Sequence, residues 1–454
     1  MTLSHADAMA FIDGLLSRDR ARVSTAETIK LRRVETLVNR LGAPHRQVPA
    51  VLIAGTKGKG STAVMLASIL QSAGLRVGLY TKPHLVDYRE RFRVNGMLID
   101  EAVVTDLVNR IRPHVEAMAL QTDGPPSYFE ASVALAFLYF AQADVDLAVI
   151  EVGLGGRLDP TNIAEPVLSV LTPVSFDHMD VLGLTLDSIA REKAGIVRPE
   201  GAVASAPQPP EAFAAIIDVC TRLRAKLWPV DEIMSWRPLK TSLYNQSFEL
   251  RGPWREYGPL SLPLVGMHQI TNAATAVSAA EILGEQGFSL SREAIMRGLA
   301  SVQWPARVEV LQERPFVVAD VAHNPASIGA LRETLEQLFP DRRIILVFGM
   351  VATHDHRAST SLLAPLADVV IATTPLHIKP LPGHVLAEEA ARYVKHVEVV
   401  DDRLEALHRA LELAEPDDVV VITGSFFLVG DLREALLQSA QSTQSAQSTQ
   451  STRT

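Results

Sequence analysis

Short runs of apolar and β-branched residues alternate along the chain with longer segments of helical character. This alternation is typical of parallel strands joined by helical crossovers, with helices covering the sheet. It predicts two series of buried strands. The first series is Val51–Ala54, Val77–Tyr80, Leu147–Val152 and Leu168–Thr172. The second series is Phe316–Ala319, Arg343–Phe348, Asp368–Thr373, Val397–Val400 and Val419–Thr423.

The two strand series indicate two domains, since 454 residues are more than one ordinary hydrophobic core accommodates. We place the boundary near Trp304–Arg307, with a first domain over 1–304 and a second over 305–437. Residues 207–266 are less regular and rich in tryptophan and proline, which indicates an elaboration of the first domain with antiparallel strand character. Residues 438–454 repeat Gln, Ser, Thr and Ala and are predicted to form a disordered tail.

The amino-acid composition and the net charge limit which classes of protein the chain can belong to. An apolar content of 47% with 21% charged residues is typical of a globular protein. The net charge of −9 argues against a nucleic-acid or anionic-membrane partner, so any bound anion must be held by a local site. The single cysteine, Cys220, excludes an intrachain disulfide and is predicted to be a buried thiol. The N-terminus lacks a signal-peptide pattern and no apolar stretch is long enough to cross a membrane, so we expect a cytoplasmic protein.

The segment GTKGKGS at residues 55–61 lies between a predicted strand and a predicted helix, Ser61–Ala73. Glycines let the backbone approach an anion closely, and the helix N-terminus directs free N–H groups at it. Lys59 can neutralise phosphate charge, and Ser61 can offer its hydroxyl to Mg²⁺. The spacing differs from the common phosphate loop because Gly60 intervenes between these two residues. A flexible turn is the alternative, but the strand–loop–helix context favours ATP binding.

Three further side chains are candidates for the same edge of the sheet. Glu151 stands at the carboxyl end of a predicted strand, where open α/β sheets bind ligands, and its carboxylate suits Mg²⁺; the alternative is a turn cap. His178 follows the strand Leu168–Thr172, although a lone histidine is more often structural. Lys193 lies in a predicted helix, where a solvated surface lysine is the alternative.

Eight segments appear in the order typical of one family: GTKGKGS, YTKPHLVDYRERFRVNG, EVGLGGRLDPTN, SFDHMDVLG, IAREKAGI, GMHQITNAA, DVAHNP and VITGSFFLVGDLR. Over residues 28–437 the chain resembles folylpolyglutamate synthases and bifunctional dihydrofolate/folylpolyglutamate synthases, of the Mur-ligase group. The segments EVGLGGRLD and EKAGI are the most specific. The resemblance implies an α/β fold with a P-loop-type parallel-sheet ATPase domain followed by a smaller Rossmann-like domain.

The resemblance also implies an activity, the ATP-dependent ligation of L-glutamate to a pteroate or folate carboxylate through an acyl phosphate. The expected cofactors are ATP and two Mg²⁺ ions. The expected partners are small molecules, namely L-glutamate and dihydropteroate or a reduced folate, without nucleic acid or membrane, for a monomer. Two alternatives stay open: another Mur-type ligase with a non-folate acceptor, and a catalytically degraded nucleotide-binding relative.

Individual positions follow from the same resemblance. Those implied to bind the nucleotide are Gly58, Lys59, Gly60, Ser61, Asn272, Arg307 and Asp320. Those implied to act in catalysis are Lys59, Glu151, His178, Lys193, Arg307, Asp320 and His323. The implied metal ligands are Ser61, Glu151, His178 and Lys193, the last as a carbamate, which turns a cation into an oxygen donor. Those implied to bind the acceptor substrate are Thr28, Ile29, Lys30, Leu31, Lys82, Ser127, Tyr128, Phe129, Glu130 and Leu158.

Three positions depart from the family pattern. Lys57 replaces an asparagine in the phosphate loop, and Ala306 replaces a glycine before Arg307. Lys82 replaces a serine that helps to hold the second Mg²⁺ in relatives, and a protonated lysine has no lone pair to give a metal. We hypothesise that Lys82 either contacts phosphate directly or swings out. The second metal would then be left to His178, Glu151 and the modified Lys193.

Overall fold

The structure, a computed structural model, describes the backbone of residues 3–21 and 28–451 and the side chains within 3–17 and 31–440. Its first sheet has eight strands in the order β4-β3-β2-β5-β1-β6-β7-β8, parallel except for the β2-β3-β4 edge. The strands are β1 (Ala50–Ala54), β2 (Val77–Tyr80), β3 (Phe92–Val94), β4 (Met97–Leu98), β5 (Leu147–Glu151), β6 (Pro166–Leu171), β7 (Ala202–Ser205) and β8 (Lys226–Pro229). The four strands of the first predicted series are all present.

Helices cover both faces of this sheet, because alternate side chains of each central strand point to opposite sides. In β1, Leu52 packs into one hydrophobic cluster while Val51 and Ile53 pack into the other. The helices are α1 (His5–Ala21), α2 (Thr28–Arg40), α3 (Lys59–Ser72), α4 (Glu101–Ala119), α5 (Tyr128–Gln142), α6 (Met179–Leu182), α7 (Leu186–Ala194), α8 (Pro210–Leu223), α9 (Val230–Ile233), α10 (Met267–Glu285) and α11 (Arg292–Ala300). The predicted buried thiol of Cys220 is confirmed.

A three-stranded antiparallel sheet lies within residues 207–266, as the irregular pattern there predicts. Its strands are β9 (Ser235–Thr241), β10 (Gln246–Arg251) and β11 (Glu256–Leu262). Phe248 and Leu260 on its buried face join the same cluster as α3 and α10. This sheet is therefore packed onto the first domain.

The second sheet has six strands in the order β12-β13-β17-β14-β15-β16, with only β12 antiparallel. Its strands are β12 (Glu309–Glu313), β13 (Phe316–Ala319), β14 (Ile344–Phe348), β15 (Val369–Ala372), β16 (His396–Val399) and β17 (Val419–Thr423). Its helices are α12 (Pro325–Leu338), α13 (His356–Leu363), α14 (Gly383–Ala390), α15 (Arg403–Leu413) and α16 (Phe426–Ser451). The predicted α/β class with two sheets is confirmed.

The sequence makes one prediction for each end of the second domain, a boundary at 304/305 and a disordered tail from 438. The linker after α11 contains the predicted boundary at 304/305, whose exact position stays a prediction. At the other end α16 continues through Ser451, where composition predicts a disordered tail from 438. That segment has no glycine or proline, and its Ala and Gln residues are good helix formers. Among the described residues, no helix has the length and apolar content that crossing a membrane requires.

Candidate active site

The loop between β1 and α3 forms the centre of the site. Two of its glycines are required by close approach: a Cβ on Gly55 would overlap Thr172, and a Cβ on Gly58, where φ is 79°, would overlap the carboxamide of Asn272. The Thr56 N–H donates to the Pro173 carbonyl at 3.0 Å, which ties the loop to the segment after β6. The loop therefore delivers the N-terminus of α3, with its free N–H groups, to the carboxyl edge of the sheet.

Lys59 begins α3 and folds back inside this loop. Its Nζ donates to the Gly55 carbonyl at 3.1 Å and to the Thr56 carbonyl at 3.2 Å. Burial lowers the pKa of Lys59, and the nearby charge of Glu151 acts in the opposite direction. The loop thus places the Lys59 amine at the N-terminus of α3, a location that favours anions.

Glu151 is the last residue of β5 and is buried. Its Oε2 accepts a hydrogen bond from the Lys82 backbone N–H at 3.0 Å. The same oxygen lies 3.4 Å from the position that a Cβ on Gly60 would occupy. Burial raises the pKa of Glu151, against the opposing effect of Lys59. The structure therefore brings this strand-end carboxylate against the phosphate loop.

Lys193, in α7, is buried, so the alternative of a solvated surface lysine is wrong. Its Nζ donates to the Gly55 carbonyl at 2.9 Å. Burial, reinforced by the charge of Lys59, lowers the pKa of Lys193 to about 7. The Lys193 side chain thus contacts the loop, and its amine loses its proton at a lower pH than the amine of an ordinary lysine.

His178 lies at the rim of the site. Its backbone is left-handed, with φ 49°, and its side chain is 49% exposed. Its Nε2 is 3.8 Å from Asp177 Oδ1, and its ring centroid is 6.5 Å from that of His354 in the second domain. Its described contacts are with these residues rather than with Glu151.

Lys57, which departs from the family pattern, forms an ion pair with Asp177. Its Nζ is 3.2 Å from Asp177 Oδ2, and the Asn324 Nδ2 donates to that oxygen at 3.3 Å. Burial lowers the pKa of Lys57 to about 8, while Asp177 opposes the shift. The added cation therefore pairs with the same carboxylate oxygen that Asn324 of the second domain contacts.

Lys82 is held inward. Its side chain is only 7% exposed, and its Nζ lies 3.5 Å from Asp159 Oδ2. The ammonium also lies 5.5 Å from the ring centroid of Tyr80 and 6.0 Å from that of Phe129. The hypothesis that Lys82 swings out is wrong, because Asp159 supplies a buried counter-charge that the sequence pattern does not reveal. A direct phosphate contact by Lys82 stays a prediction.

Replacing Lys82 by methionine should lower the free energy of unfolding by roughly 2–3 kcal/mol, because Asp159 would keep its charge without a cation. The loss lies at the low end for a buried pair, since Asp159 also accepts N–H donors from Gly153 and Leu154. Urea unfolding measures the change. Lys395→Met, at an exposed lysine, is the control, and equal losses in the two variants would contradict a buried pair.

The linker to the second domain carries Arg307 between two strained residues. Ala306 has φ 56° and Val308 has φ 50°, a left-handed conformation that favours glycine. The Arg307 guanidinium donates to the Ala306 carbonyl at 2.9 Å and lies 5.4 Å from the ring centroid of Trp304. Burial lowers the pKa of Arg307, against the effect of Asp320. The linker thus presents a cation toward the loop.

Asp320 and His323 come from the start of the second domain. Asp320 accepts the Val308 N–H at 3.0 Å and the Ala322 N–H at 2.7 Å, and burial raises its pKa. The His323 Nδ1–H donates to the Val321 carbonyl at 2.8 Å. Burial lowers the pKa of His323 to about 3, so its ring is neutral. Asp320 therefore holds the linker, while the His323 ring packs beside His354 and Phe426.

The remaining predicted nucleotide residue, Asn272, lies in α10 with its carboxamide against Gly58. Its Nδ2 donates to Gln269 Oε1 at 3.0 Å. The structure thus places Asn272 on the loop side of α10.

The residues predicted for the acceptor site divide into two groups. Ser127 and Glu130 form a capping box at the start of α5, and Glu130 accepts from Arg33 Nε at 3.1 Å. Burial raises the pKa of Glu130. These two side chains are occupied in holding α5 to α2, a role that follows from their Ser-x-x-Glu spacing.

The other predicted acceptor residues vary in exposure. Phe129 is 43% exposed beside Lys82, whereas Tyr128 is buried. Leu158 is half-buried, and Leu31 packs on the core. The side chains of Thr28, Ile29 and Lys30 lie outside the described residues. Phe129 and Lys82 are therefore the pair that the structure brings together.

The structure brings together only some of the predicted Mg²⁺ ligands. Ser61, in the first turn of α3, and Glu151 flank Gly60 and offer oxygen atoms of the kind that Mg²⁺ binds. Lys193 as an amine is a hydrogen-bond donor, and His178 faces the rim. Within the described side chains no three His, Cys, Asp or Glu residues converge as a metal site. Ser61 and Glu151 fit the ion, and the full predicted set is not assembled.

Three residues with prominent contacts were not assigned from the sequence. Asp159 stands inside the EVGLGGRLD segment, which was a usable signal. Trp304 precedes Arg307 in the linker, and an aromatic residue three positions before an arginine is a weaker signal. His354 lies in the loop after β14 and has no pattern around it.

Known proteins match almost the whole chain. Residues 53–280 match the Mur ligase middle domain, and residues 306–426 match the Mur ligase glutamate ligase domain. The dihydrofolate synthase/folylpolyglutamate synthase of Bacillus subtilis is 34% identical over 442 residues, covering 96% of this chain and 100% of the relative.

Two solved structures extend the comparison. The Mycobacterium tuberculosis folylpolyglutamate synthase complexed with ADP has a TM-score of 0.88 at 30% identity, covering 95% of this chain and 99% of that one. The Escherichia coli protein FolC in complex with DHPP and ADP has a TM-score of 0.84 at 31% identity, covering 95% and 98%. The chain therefore belongs to the Mur ligase family, among the folylpolyglutamate and dihydrofolate synthases.

Proposed function

We infer that this protein is an ATP-dependent ligase that joins L-glutamate to the carboxylate of a pteroate or folate. The observation that carries the inference is the match to a dihydrofolate synthase/folylpolyglutamate synthase along the full length of that relative. ADP in two similar structures supports a nucleotide site at the Gly58–Ser61 loop. The folate branch is favoured over other Mur-type acceptors because the similar proteins carry folate-synthase names.

The first chemical step is attack of the acceptor carboxylate on the γ-phosphorus of ATP, which gives an acyl phosphate and ADP. Charge spreads over the transferring oxygens in such a step, so fixed positive groups accelerate it. Lys59 in the loop and Arg307 in the linker are the groups placed for this role, each half-buried and held by backbone carbonyls.

Mg²⁺ would be held by Ser61 and Glu151, whose oxygens flank Gly60. When bound, it supplies positive charge that offsets the charge of the ATP phosphates. Glu151 is kept in position for this by the Lys82 backbone N–H at 3.0 Å.

The second step is attack of the L-glutamate amine on the acyl phosphate, which forms the amide and releases phosphate. Positioning across two domains supplies much of the rate in a reaction of this type. The neutral His323 ring and the Asn324–Asp177–Lys57 contact lie where the domains meet. We propose that the glutamate site lies at this junction, and that one chain suffices because all these groups come from it.

ADP release from purified protein tests this function. We expect release to require both L-glutamate and an acceptor, with dihydropteroate and tetrahydrofolate assayed in parallel. Turnover with dihydropteroate identifies dihydrofolate synthesis, and turnover with tetrahydrofolate identifies polyglutamate extension. Full-rate ADP release without either substrate would overturn the proposal, and turnover only with a non-folate carboxylate would point to another ligase of the group.

Lys193 is expected to form a carbamate with CO₂. The neutral amine is the reactive form, and the pKa of about 7 makes it abundant as pH rises above that value, far below the 10.5 of an ordinary lysine. Carbon-13 NMR with labelled bicarbonate should show a carbamate signal at pH 8 that weakens below the pKa. The signal should vanish in Lys193→Met and persist in Lys395→Met. Identical spectra from the two variants would contradict the modification.

A further inference from the structure

Trp304 has an unusual polar atom. Its indole Nε1 is buried and meets no acceptor among the residues that the structure describes. Buried tryptophan N–H groups normally find a hydrogen-bond partner, because leaving a donor desolvated and unpaired is unfavourable. The residue lies in the linker three positions before Arg307 and was not assigned any role from the sequence. We therefore expect the hydrogen-bond acceptor of the Trp304 indole N–H to come from a bound molecule.

The side of the indole next to this N–H, its Cζ2–Cε2 edge, lies against the phosphate loop. The position of a Cβ on Gly60 lies 3.1 Å from Trp304 Cζ2 and 3.6 Å from Cε2, the atom bonded to Nε1. Glu151 Oε2 lies 3.4 Å from that position, but this oxygen already accepts from the Lys82 N–H. This side of the ring thus borders the first turn of α3, where the free N–H groups of the helix also lie, and Nε1 is bonded to its Cε2 atom.

The face of the same ring supports a cation. The Arg307 guanidinium lies 5.4 Å from the Trp304 ring centroid and 5.5 Å from that of Phe426 in the second domain. Guanidinium groups within about 6 Å of an aromatic centroid are attracted to the ring face. One side chain therefore touches the phosphate loop with its edge and Arg307 with its face.

We propose that Trp304 is a nucleotide-binding residue, an inference that rests on the proposed function. Its indole N–H donates to a phosphate oxygen of ATP held by the Gly58–Ser61 loop, and its ring seats the Arg307 guanidinium beside the same phosphates. The ligand class is a nucleoside triphosphate, since its phosphate oxygens supply the acceptor that the buried donor lacks. The residue thereby makes phosphate binding depend on the linker to the second domain.

Trp304→Phe tests the proposal, because it keeps the ring and removes the donor. The affinity for the non-hydrolysable analogue AMPPCP, measured by calorimetry with Mg²⁺, should fall about tenfold, the effect of losing one hydrogen bond to a charged group. The thermal midpoint without nucleotide should change little, while the increase produced by AMPPCP should shrink. Trp236→Phe, in β9 and packed on the hydrophobic core, is the matched control and should retain wild-type affinity.

A second measurement does not depend on how the variant folds. The protein has four tryptophans, so its indole N–H resonances can be assigned by replacing the other three singly. The Trp304 resonance should shift when AMPPCP binds to the wild-type protein. Unchanged affinity in Trp304→Phe, or an unshifted Trp304 resonance in the AMPPCP complex, overturns the proposal. Failure of the wild-type protein to bind AMPPCP would instead count against the proposed function.

Discussion

Glu151→Gln should lower the rate of glutamate ligation by about 10³-fold, the largest effect of any single replacement that we expect. The buried carboxylate at the end of β5 supplies the charged oxygen beside Gly60. Glutamine keeps the acceptor for the Lys82 N–H but loses the negative charge that a hard cation requires. Product formation at saturating ATP and Mg²⁺ measures the loss.

Glu281→Gln is the matched control for this replacement. Glu281 is also a buried carboxyl group, and it accepts the Tyr257 hydroxyl at 2.8 Å in the packing between α10 and β11. Burial raises the pKa of Glu281, so its amide is a close substitute for the acid. We expect near wild-type ligation from it. Activity within a few-fold of wild type in Glu151→Gln would remove Glu151 from the site.

Lys59→Met should lower kcat by roughly 10²- to 10³-fold, because the ammonium inside the loop would no longer offset charge on the transferred phosphoryl group. Its effect on stability should have the opposite sign. The lowered pKa of Lys59 means that folding disfavours its charged form, a cost present below the pKa of the unfolded chain and lost above it. At neutral pH the methionine variant should therefore resist urea at least as well as the wild type.

Steady-state kinetics with ATP varied, together with urea unfolding at pH 7 and pH 9, measure both effects. Lys395→Met controls for loss of an exposed lysine and should alter neither activity nor stability. A Lys59→Met protein that lost activity and stability in parallel would show a structural lysine instead. The opposed signs are what separate a functional cation from a packing contact.

The sheets were predictable where burial on both faces makes a strand uniformly apolar. In β17 the residues Val419–Thr423 are all buried, and the predicted bounds agree with the structure. The strand β12 was missed because it is an antiparallel edge with the mixed sequence EVLQE, all of it at least partly exposed. Edge strands need only one covered face, so their composition resembles that of loops.

The site was predictable to the extent that chain geometry determines it. Glu151 and the Gly58–Ser61 loop follow from the rule that parallel strands end at one edge. The Lys82–Asp159 pair joins residues 77 positions apart, and the Asp177–Asn324 bond joins residues 147 apart. Such contacts depend on side-chain directions after folding, which no local pattern encodes. The outward turn of His178 is of the same kind.

The linker conformation has a consequence for how easily the two domains separate. Holding Ala306 and Val308 with φ near 50° costs about 1 kcal/mol or more each relative to ordinary backbone regions. Rotation of either residue into an extended conformation would release that energy and change the path of the chain between the two sheets. The Asp320 bond to Val308 and the Asn324 bond to Asp177 oppose that rotation. The strain in the linker therefore acts against these two contacts, and losing either of them should make the rotation easier.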